Sequence, residues 1–275
     1  MMPQSQPDNA SAASDLASRP LLEVDELNLS FGGLKAVQKF SLRLPPRALY
    51  GLIGPNGAGK TSVFNLLTGV YQPDGGRMVL GSENLVGRKP HQITAAGIAR
   101  TFQNIRLFPS MSVLDNVRLA GQCRGRERLA GTLLRNSGYC SQEEAIRERA
   151  FELLDLFDLR PRADEEAGCL SYGHQRRLEI VRALATEPKL LLLDEPAAGM
   201  NSREKKDLAQ SIRDIRKRFP ISIMLIDHDM GLVMDICERI FVLDHGVTIA
   251  SGTPQEIQND PKVIAAYLGG GAPAN

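Results

Sequence analysis

The feature that most limits what this chain can fold into is Gly54-Pro55-Asn56-Gly57-Ala58-Gly59-Lys60-Thr61. It lies between an apolar run that reads as a strand, Leu49 to Ile53, and one that reads as a helix, Ser62 to Leu67. Strand, G-x-x-x-x-G-K-[ST] and helix in that order make a phosphate-binding loop. Glycines let the backbone curl until successive N–H groups point at one anion, and the following helix N-terminus adds about half a positive charge. Lys60 is placed to reach the β and γ phosphates of a nucleotide, and Thr61 to set its hydroxyl on Mg2+. The eight loop residues and Ser62 behind them are the candidate nucleotide-binding residues.

Two later stretches place this loop in a sheet. Leu190 to Leu193 is unbroken leucine followed by Asp194-Glu195-Pro196, and Ile221 to Ile226 ends in Asp227-His228-Asp229. Such runs read as strands buried on both faces, so the chain is predicted to be α/β with a mostly parallel sheet and its site at the carboxyl ends of the strands. Asp194 then has the place and type for a second Mg2+ contact, because a carboxylate at the end of an apolar strand is costly unless it meets a cation. Glu195 faces the γ-phosphate, where it accepts a proton from the attacking water or orients it. His228 meets the same phosphate from the far side as a hydrogen-bond donor. Gln103, after the strand-like Arg100-Thr101-Phe102, reaches either Mg2+ or the water.

The remaining chain frames that core. Leu22 to Leu29 and Phe40 to Leu44 read as strands of an antiparallel edge, with Phe31-Gly32-Gly33 in the turn between them. Pro73-Asp74-Gly75-Gly76 is a turn, and Arg77 to Leu80 a returning strand. From Ser112 to about Leu159 strand patterns give way to helical spacing. There Ser141-Gln142-Glu143-Glu144 is a capping box, Ile146, Ala150, Leu153, Leu154 and Phe157 share a face, and Pro161 ends the helix. Ile240 to Leu243 and Val247 to Ala250 read as a hairpin around His245-Gly246; Thr253-Pro254-Gln255-Glu256 and Asp260-Pro261 each open a short helix, the second stopping at Gly269.

Composition narrows the partners. The chain has 33 Lys+Arg against 32 Asp+Glu, a balance that gives no general attraction to nucleic acid or an anionic surface. Basic runs such as Arg124 to Arg128 and Arg213 to Arg218 read as solvated helix faces. No stretch approaches the ~18 apolar residues of a membrane span. Residues 1–20 carry no secretory pattern and read as a disordered extension, and the four separated cysteines, without a C-x-x-C pair, suit a reducing cytosol.

Leu170-Ser171-Tyr172-Gly173-His174-Gln175-Arg176-Arg177 is followed by a helix through Leu178, Ile180, Val181 and Leu184. A Ser and a Gly before a helix N-terminus form a second anion site. One nucleotide needs only one such site per chain, whereas a dimer uses both if each protomer's second site closes over the nucleotide held by the other.

At this point the chain resembles an ATP-binding-cassette (ABC) ATPase: phosphate loop, Gln103, signature Leu170 to Gln175, Asp194-Glu195 and His228 stand in that family's order and spacing over nearly everything after residue 20. The resemblance implies a P-loop NTPase core with an antiparallel β edge subdomain and a helical signature subdomain. It divides the chain into a core at 21–111 and 160–252, a helical subdomain at 112–159 continuing through the signature helix, and C-terminal helices and tail at 253–275. It also implies a head-to-tail dimer with two ATP and Mg2+ at its interface. Each ATP would be gripped by Lys60 and Thr61 of one subunit and by Ser171, Gly173 and His174 of a second, identical or homologous ATPase subunit. Phe31 falls on the adenine-stacking position, Glu195 on the catalytic base, and Gln103 on the loop that senses the γ-phosphate and touches a membrane partner.

Phe31 to Val37, Arg100 to Gln103, Arg106-Leu107-Phe108, Glu195 to Asn201, His228-Asp229-Met230 and Ala266 to Gly269 are, further, similar to the ATP-binding subunits of branched-chain amino acid importers, whose relatives handle urea and short amides. The implied partners are transmembrane permease subunits and, indirectly, a periplasmic substrate-binding protein, with the chain peripheral to the cytoplasmic face of the inner membrane. Leu107, Phe108 and Met111 are expected to line the groove for a permease helix. Tyr172 and His174 replace Gly and Gln of the general L-S-G-G-Q signature, and Asn201 stands where the family usually has Asp. A soluble, non-transport cassette ATPase and a small-molecule P-loop kinase are the other readings. The first usually carries two cassettes, a coiled-coil insertion or zinc-binding cysteines, which this chain lacks, and the second leaves Ser171 to Arg177 unexplained.

Overall fold

The computed structural model describes residues 20–122 and 137–268. The stretch expected to be disordered (apart from Pro20) and the run Arg124 to Arg128 lie outside them. In chain order the strands are β1 Leu22–Phe31, β2 Leu34–Leu44, β3 Leu49–Ile53, β4 Gly75–Leu80, β5 Glu83–Asn84, β6 Ile98–Arg100, β7 Leu190–Asp194, β8 Ser222–Ile226, β9 Arg239–Asp244 and β10 Val247–Gly252. The helices are α1 Lys60–Leu67, α2 Pro90–Ala96, α3 Val113–Gly121, α4 Ser137–Asp155, α5 Tyr172–Ala185, α6 Ser202–Arg218, α7 Met230–Ile236, α8 Pro254–Gln258 and α9 Pro261–Leu268.

The strands form one ten-stranded sheet in the order β5-β4-β1-β2-β10-β9-β3-β8-β7-β6. From β9 to β6 all neighbours are parallel, whereas β1, β2, β4 and β5 pair antiparallel, so the α/β core carries the antiparallel edge that the sequence predicts. Both faces of the parallel half are covered, which is why its strands read as continuous apolar runs. Leu191 and Leu193 of β7 face a cluster with Val181 of α5 and Leu208 and Ile212 of α6. Leu190 and Leu192 face the other way, into a cluster that joins Phe64 and Leu67 of α1 to Val24 and Phe40 of the antiparallel edge. Helix α1 therefore lies between the two halves of the sheet, and its first residue, Lys60, is 6% exposed.

The phosphate loop is fixed from outside by a junction of three distant segments. The N–H of Gly246 donates to the Ala58 carbonyl at 2.9 Å, and the N–H of Gln38 donates to the Gly246 carbonyl at 2.8 Å. Gly59 (φ +100°) and Gly246 (φ +78°) both press on the Ala36 carbonyl, where an added Cβ would come within 2.4 Å and 2.7 Å of its oxygen. Only glycine has both the left-handed freedom and the space.

Several element boundaries differ from the sequence expectations. Strand β2 begins at Leu34 and not at Phe40; its first half is irregular, with register shifts against β1 and Lys39 at φ 47°. Helix α4 begins at Ser137, so Ser141 is interior and does not cap it. It ends at Asp155, ahead of Pro161, with Asp158 in the left-handed region at φ 56° and the Phe157 and Leu159 N–H groups folded back on the Leu154 carbonyl. Strand β6 stops at Arg100, leaving Thr101 and Phe102 in the loop. Both C-terminal helices start where expected, and Thr253 and Glu256 form the reciprocal cap of α8.

Replacing Gly246 by Ala is expected to cost about 1–3 kcal/mol through strain and the clash with Ala36. Urea unfolding should show a lower midpoint at an unchanged slope.

Candidate functional site

The carboxyl ends of the five parallel strands deliver the site, the place where open α/β sheets bind ligands. The phosphate loop follows β3, Gln103 lies just beyond β6, Glu195 follows β7, His228 lies just beyond β8 and His245 follows β9. They border a cleft of about 690 Å³ whose wall includes Phe31, Lys60, Gln103, Glu195, His228 and His245. Asn56 to Ser62 form its floor.

Lys60 Nζ donates to the carbonyls of Gly54 and Pro55 at 2.7 Å and 2.8 Å, so the loop is closed on its own lysine. Burial holds the Lys60 ammonium below its ordinary pKa, while Glu195 and Asp194 pull it back up. Phe31, 45% exposed at the cleft edge, is backed edge-on by Tyr71 at a centroid distance of 5.1 Å. An exposed ring with one fixed orientation offers a flat stacking platform.

Glu195 is the centre of the polar wall. Its Oε2 accepts from Gln103 Nε2 at 2.9 Å and its Oε1 lies 2.7 Å from His228 Nε2. His228, expected on the phosphate, is thus engaged by the carboxylate, and Gln103, expected on cation or water, holds the same group. Glu195 sits at φ 49°, a left-handed conformation uncommon outside glycine, and its N–H donates to the Ile226 carbonyl at 2.7 Å. The next loop is tied in by the buried Asp227, which accepts from the Ala197 and Asp229 N–H groups at 3.1 Å and 2.8 Å. Burial raises the Asp227 pKa against the pull of those hydrogen bonds.

Asp194, expected on Mg2+, is buried and is not part of the cleft wall. Its Oδ2 pairs with Arg100 Nη2 at 2.6 Å, with both side chains about 5% exposed or less. Arg100 also donates to Asn65 Oδ1 at 2.7 Å and lies over the rings of Phe64 and Phe102. Sequence reasoning missed this arginine, although an Arg closing an apolar strand was a signal that it meets an acid. The residues fit a Mg2+–nucleotide. Thr61 at the cleft floor supplies a hard oxygen donor, and with Nε2 committed to Glu195 the Gln103 amide oxygen is the atom open to a cation, whereas Asp194 would have to leave Arg100 to reach one. Among the described residues no cluster of three His, Cys, Asp or Glu is built to hold a metal by itself, so phosphate oxygens would complete the shell.

Ser171, Gly173 and His174 do not join their own chain's cleft. Ser171 stands at the N-cap of α5 with no cap hydrogen bond, and its hydroxyl lies 2.9 Å from His174 Nδ1. Burial, then Arg162 and Arg177, lowers the His174 pKa, which favours the neutral ring. Asn201, in place of the usual Asp, caps α6, accepting from the Arg203 and Glu204 N–H groups at 3.0 Å each.

A second groove lies on the flank, bordered by Phe102, Arg106, Phe108, Leu119 and Arg182. Phe108 lines it as expected, but Leu107 packs against the main core and Met111 is absent from its wall. The run Arg213 to Arg218 is partly neutralised, Arg213 pairing with Asp235 at 2.6 Å and Arg216 with Glu238. No described helix is long and apolar enough to cross a membrane.

Known proteins resemble this arrangement along most of the chain. The family model described as "ABC transporter" matches residues 37–198, and that of the "Branched-chain amino acid ATP-binding cassette transporter" matches residues 247–273. The chain is 45% identical over 252 residues to the high-affinity branched-chain amino acid transport ATP-binding protein LivG of Escherichia coli K12, covering 92% of this chain and 99% of that one. It is 44% identical, over 92% and 99%, to the corresponding protein BraF of Pseudomonas aeruginosa PAO1. Among solved structures, the ADP conformation of MJ1267, an ATP-binding cassette of an ABC transporter, superposes with a TM-score of 0.79 at 30% identity, covering 92% of this chain and all of that one.

Arg100→Met is expected to destabilise the metal-free protein by about 3–5 kcal/mol, because it leaves Asp194 buried without a partner. Adding Asp194→Asn should recover part of that loss, which urea unfolding of the single and double variants measures.

Proposed function

The chain belongs to the ABC transporter family and is an ATPase, and from that premise we propose that it is the motor subunit of an importer for branched-chain amino acids. The observation that carries the mechanism is the Glu195 carboxylate held between Gln103 and His228 above the phosphate loop. In the proposed cycle the adenine stacks on Phe31 and the phosphates settle in the loop Gly54 to Ser62, on N–H groups of its residues other than Pro55. Lys60 exchanges the Gly54 and Pro55 carbonyls for phosphate oxygens. Thr61 and Gln103 would hold Mg2+, joined by Asp194 if it exchanges Arg100 for the ion, and the bound ion would neutralise charge on the β and γ phosphates. Glu195 aligns the attacking water and takes its proton, with His228 and Gln103 fixing the carboxylate.

The second anion site serves a partner. Ser171, Gly173 and His174 do not line their own cleft, which fits a head-to-tail dimer in which each signature covers the nucleotide on the other subunit. Closure then pulls on permease subunits seated at the groove of Phe102, Phe108 and Leu119, and hydrolysis resets it. In this reading residues 112–159 move as a helical subdomain, the protein is peripheral to the cytoplasmic face of the membrane, and a periplasmic binding protein delivers substrate to the permeases. The naming of LivG and BraF supports branched-chain amino acids as the cargo.

Glu195→Gln is expected to keep nucleotide affinity, lower turnover by about 10²-fold or more, and trap an ATP-dependent dimer visible by size-exclusion chromatography. A variant that stays monomeric at saturating ATP overturns the dimer mechanism. Reconstitution with the cognate permeases and a panel of branched-chain amino acids, urea and short amides tests the cargo.

A further inference from the structure

Helix α5 carries two charges that water barely reaches. Arg176 is 0% exposed and Glu179 5% exposed, and they pair at 2.8 Å one helical turn apart. A buried pair of this kind adds little stability by itself, because desolvation offsets most of the attraction. Its role lies in what it grips. The Arg176 guanidinium donates to the carbonyl of Phe102, to that of Gln103 at 2.8 Å and to that of Glu195 at 3.2 Å. Glu179 Oε1 accepts from the N–H groups of Phe102 at 3.1 Å and Arg106 at 3.4 Å.

Five main-chain groups, from the two segments that carry Gln103 and Glu195, thus end on one helix whose N-cap is Ser171. The Gln103–Glu195 side-chain bond closes the circuit. A planar guanidinium spanning three carbonyls has no slack, so a shift of α5 is passed directly to both segments. The open groove of Phe102 and Arg106 also has Glu179 in its wall, so the same pair stands between that groove and the hydrolytic residues.

We infer that Arg176, oriented by Glu179, is a positioning residue that couples the seating of Ser171 on a partner subunit's nucleotide to the alignment of Gln103 and Glu195 in its own cleft. This rests on the reading of Ser171 as a contact made across a dimer. When α5 is out of register, Gln103 and Glu195 are displaced together and water is not aligned; when Ser171 is seated, both return. ATP bound to a lone subunit is thereby left unhydrolysed.

Two variants of the full-length chain test this. Arg176→Lys keeps a cation opposite Glu179 but cannot span three carbonyls, and Arg176→Met with Glu179→Leu removes both charges at similar volume. In each, kcat is expected to fall by about tenfold or more, the size of effect that misplaced reacting groups produce. KM for ATP and the affinity for a fluorescent ATP analogue should stay near those of the parent, while the thermal midpoint falls as main-chain groups lose their partners. Added to Glu195→Gln, either change should leave the ATP-trapped dimer intact. Unchanged kcat in the folded variants overturns the inference. So does a loss of kcat matched by equal losses of thermal stability and nucleotide affinity, which marks a structural clasp. If the double replacement does not fold, Arg176→Lys decides. Failure of Glu195→Gln alone to dimerise is a separate result, which removes the dimer reading while the kcat-against-KM split still reports on Arg176.

Discussion

Charge taken out of water must be given partners, and that constraint organises this protein. Lys60, Asp194, Arg176 and Glu179 are all buried, and each is paired with a neighbouring charge or with the backbone of a loop that carries function. The carbonyls of Gly54 and Pro55 hold Lys60, Arg100 holds Asp194, and the loop around Gln103 holds the Arg176–Glu179 pair. Isolated charges in such surroundings would cost several kcal/mol each. With their partners they fix the loops around the cleft, and the precision of the site follows from the expense of leaving any one of them alone.

The parallel sheet makes that arrangement possible. Its strands end at one edge, so residues separated by more than a hundred positions, such as Lys60 and Glu195, reach the same cleft without long loops. The antiparallel edge closes the other side, bringing Phe31 beside the phosphate loop. Helix α5 approaches the same edge from the opposite face, which is how a signature at its start and a grip on Gln103 about one turn later occupy one rigid element.

Much of this was legible in the sequence because it rests on local pattern. A strand covered on both faces must be continuously apolar, so Leu190 to Leu193 reads correctly, and the glycine loop carries its own geometry. Elements that failed were those whose determinants are not local. The first half of β2 is Lys-Ala-Val-Gln-Lys, without clean alternation, and only pairing with β1 makes it a strand. The S-x-x-E pattern at Ser141 reads as a helix start, yet the same residues sit inside a helix that begins at Ser137. The stop of that helix uses Asp158 in the place where glycine is the usual signal, so a downstream proline drew the boundary too late. The distant partners of Arg100 and Arg176 could not be named from the sequence, because Asp194 lies 94 residues from the first and the Gln103 carbonyl 73 from the second, and a backbone group carries no signature of its own.

The lysine that closes the phosphate loop on itself also bears on tempo. Since Nζ already has two oxygen partners, an arriving phosphate swaps one set of oxygens for another and need not order a floppy segment. The enthalpic reward for occupancy is correspondingly modest, and departure of spent nucleotide runs along the same shallow path in reverse. A receptacle of this type favours quick replacement of its guest over long retention.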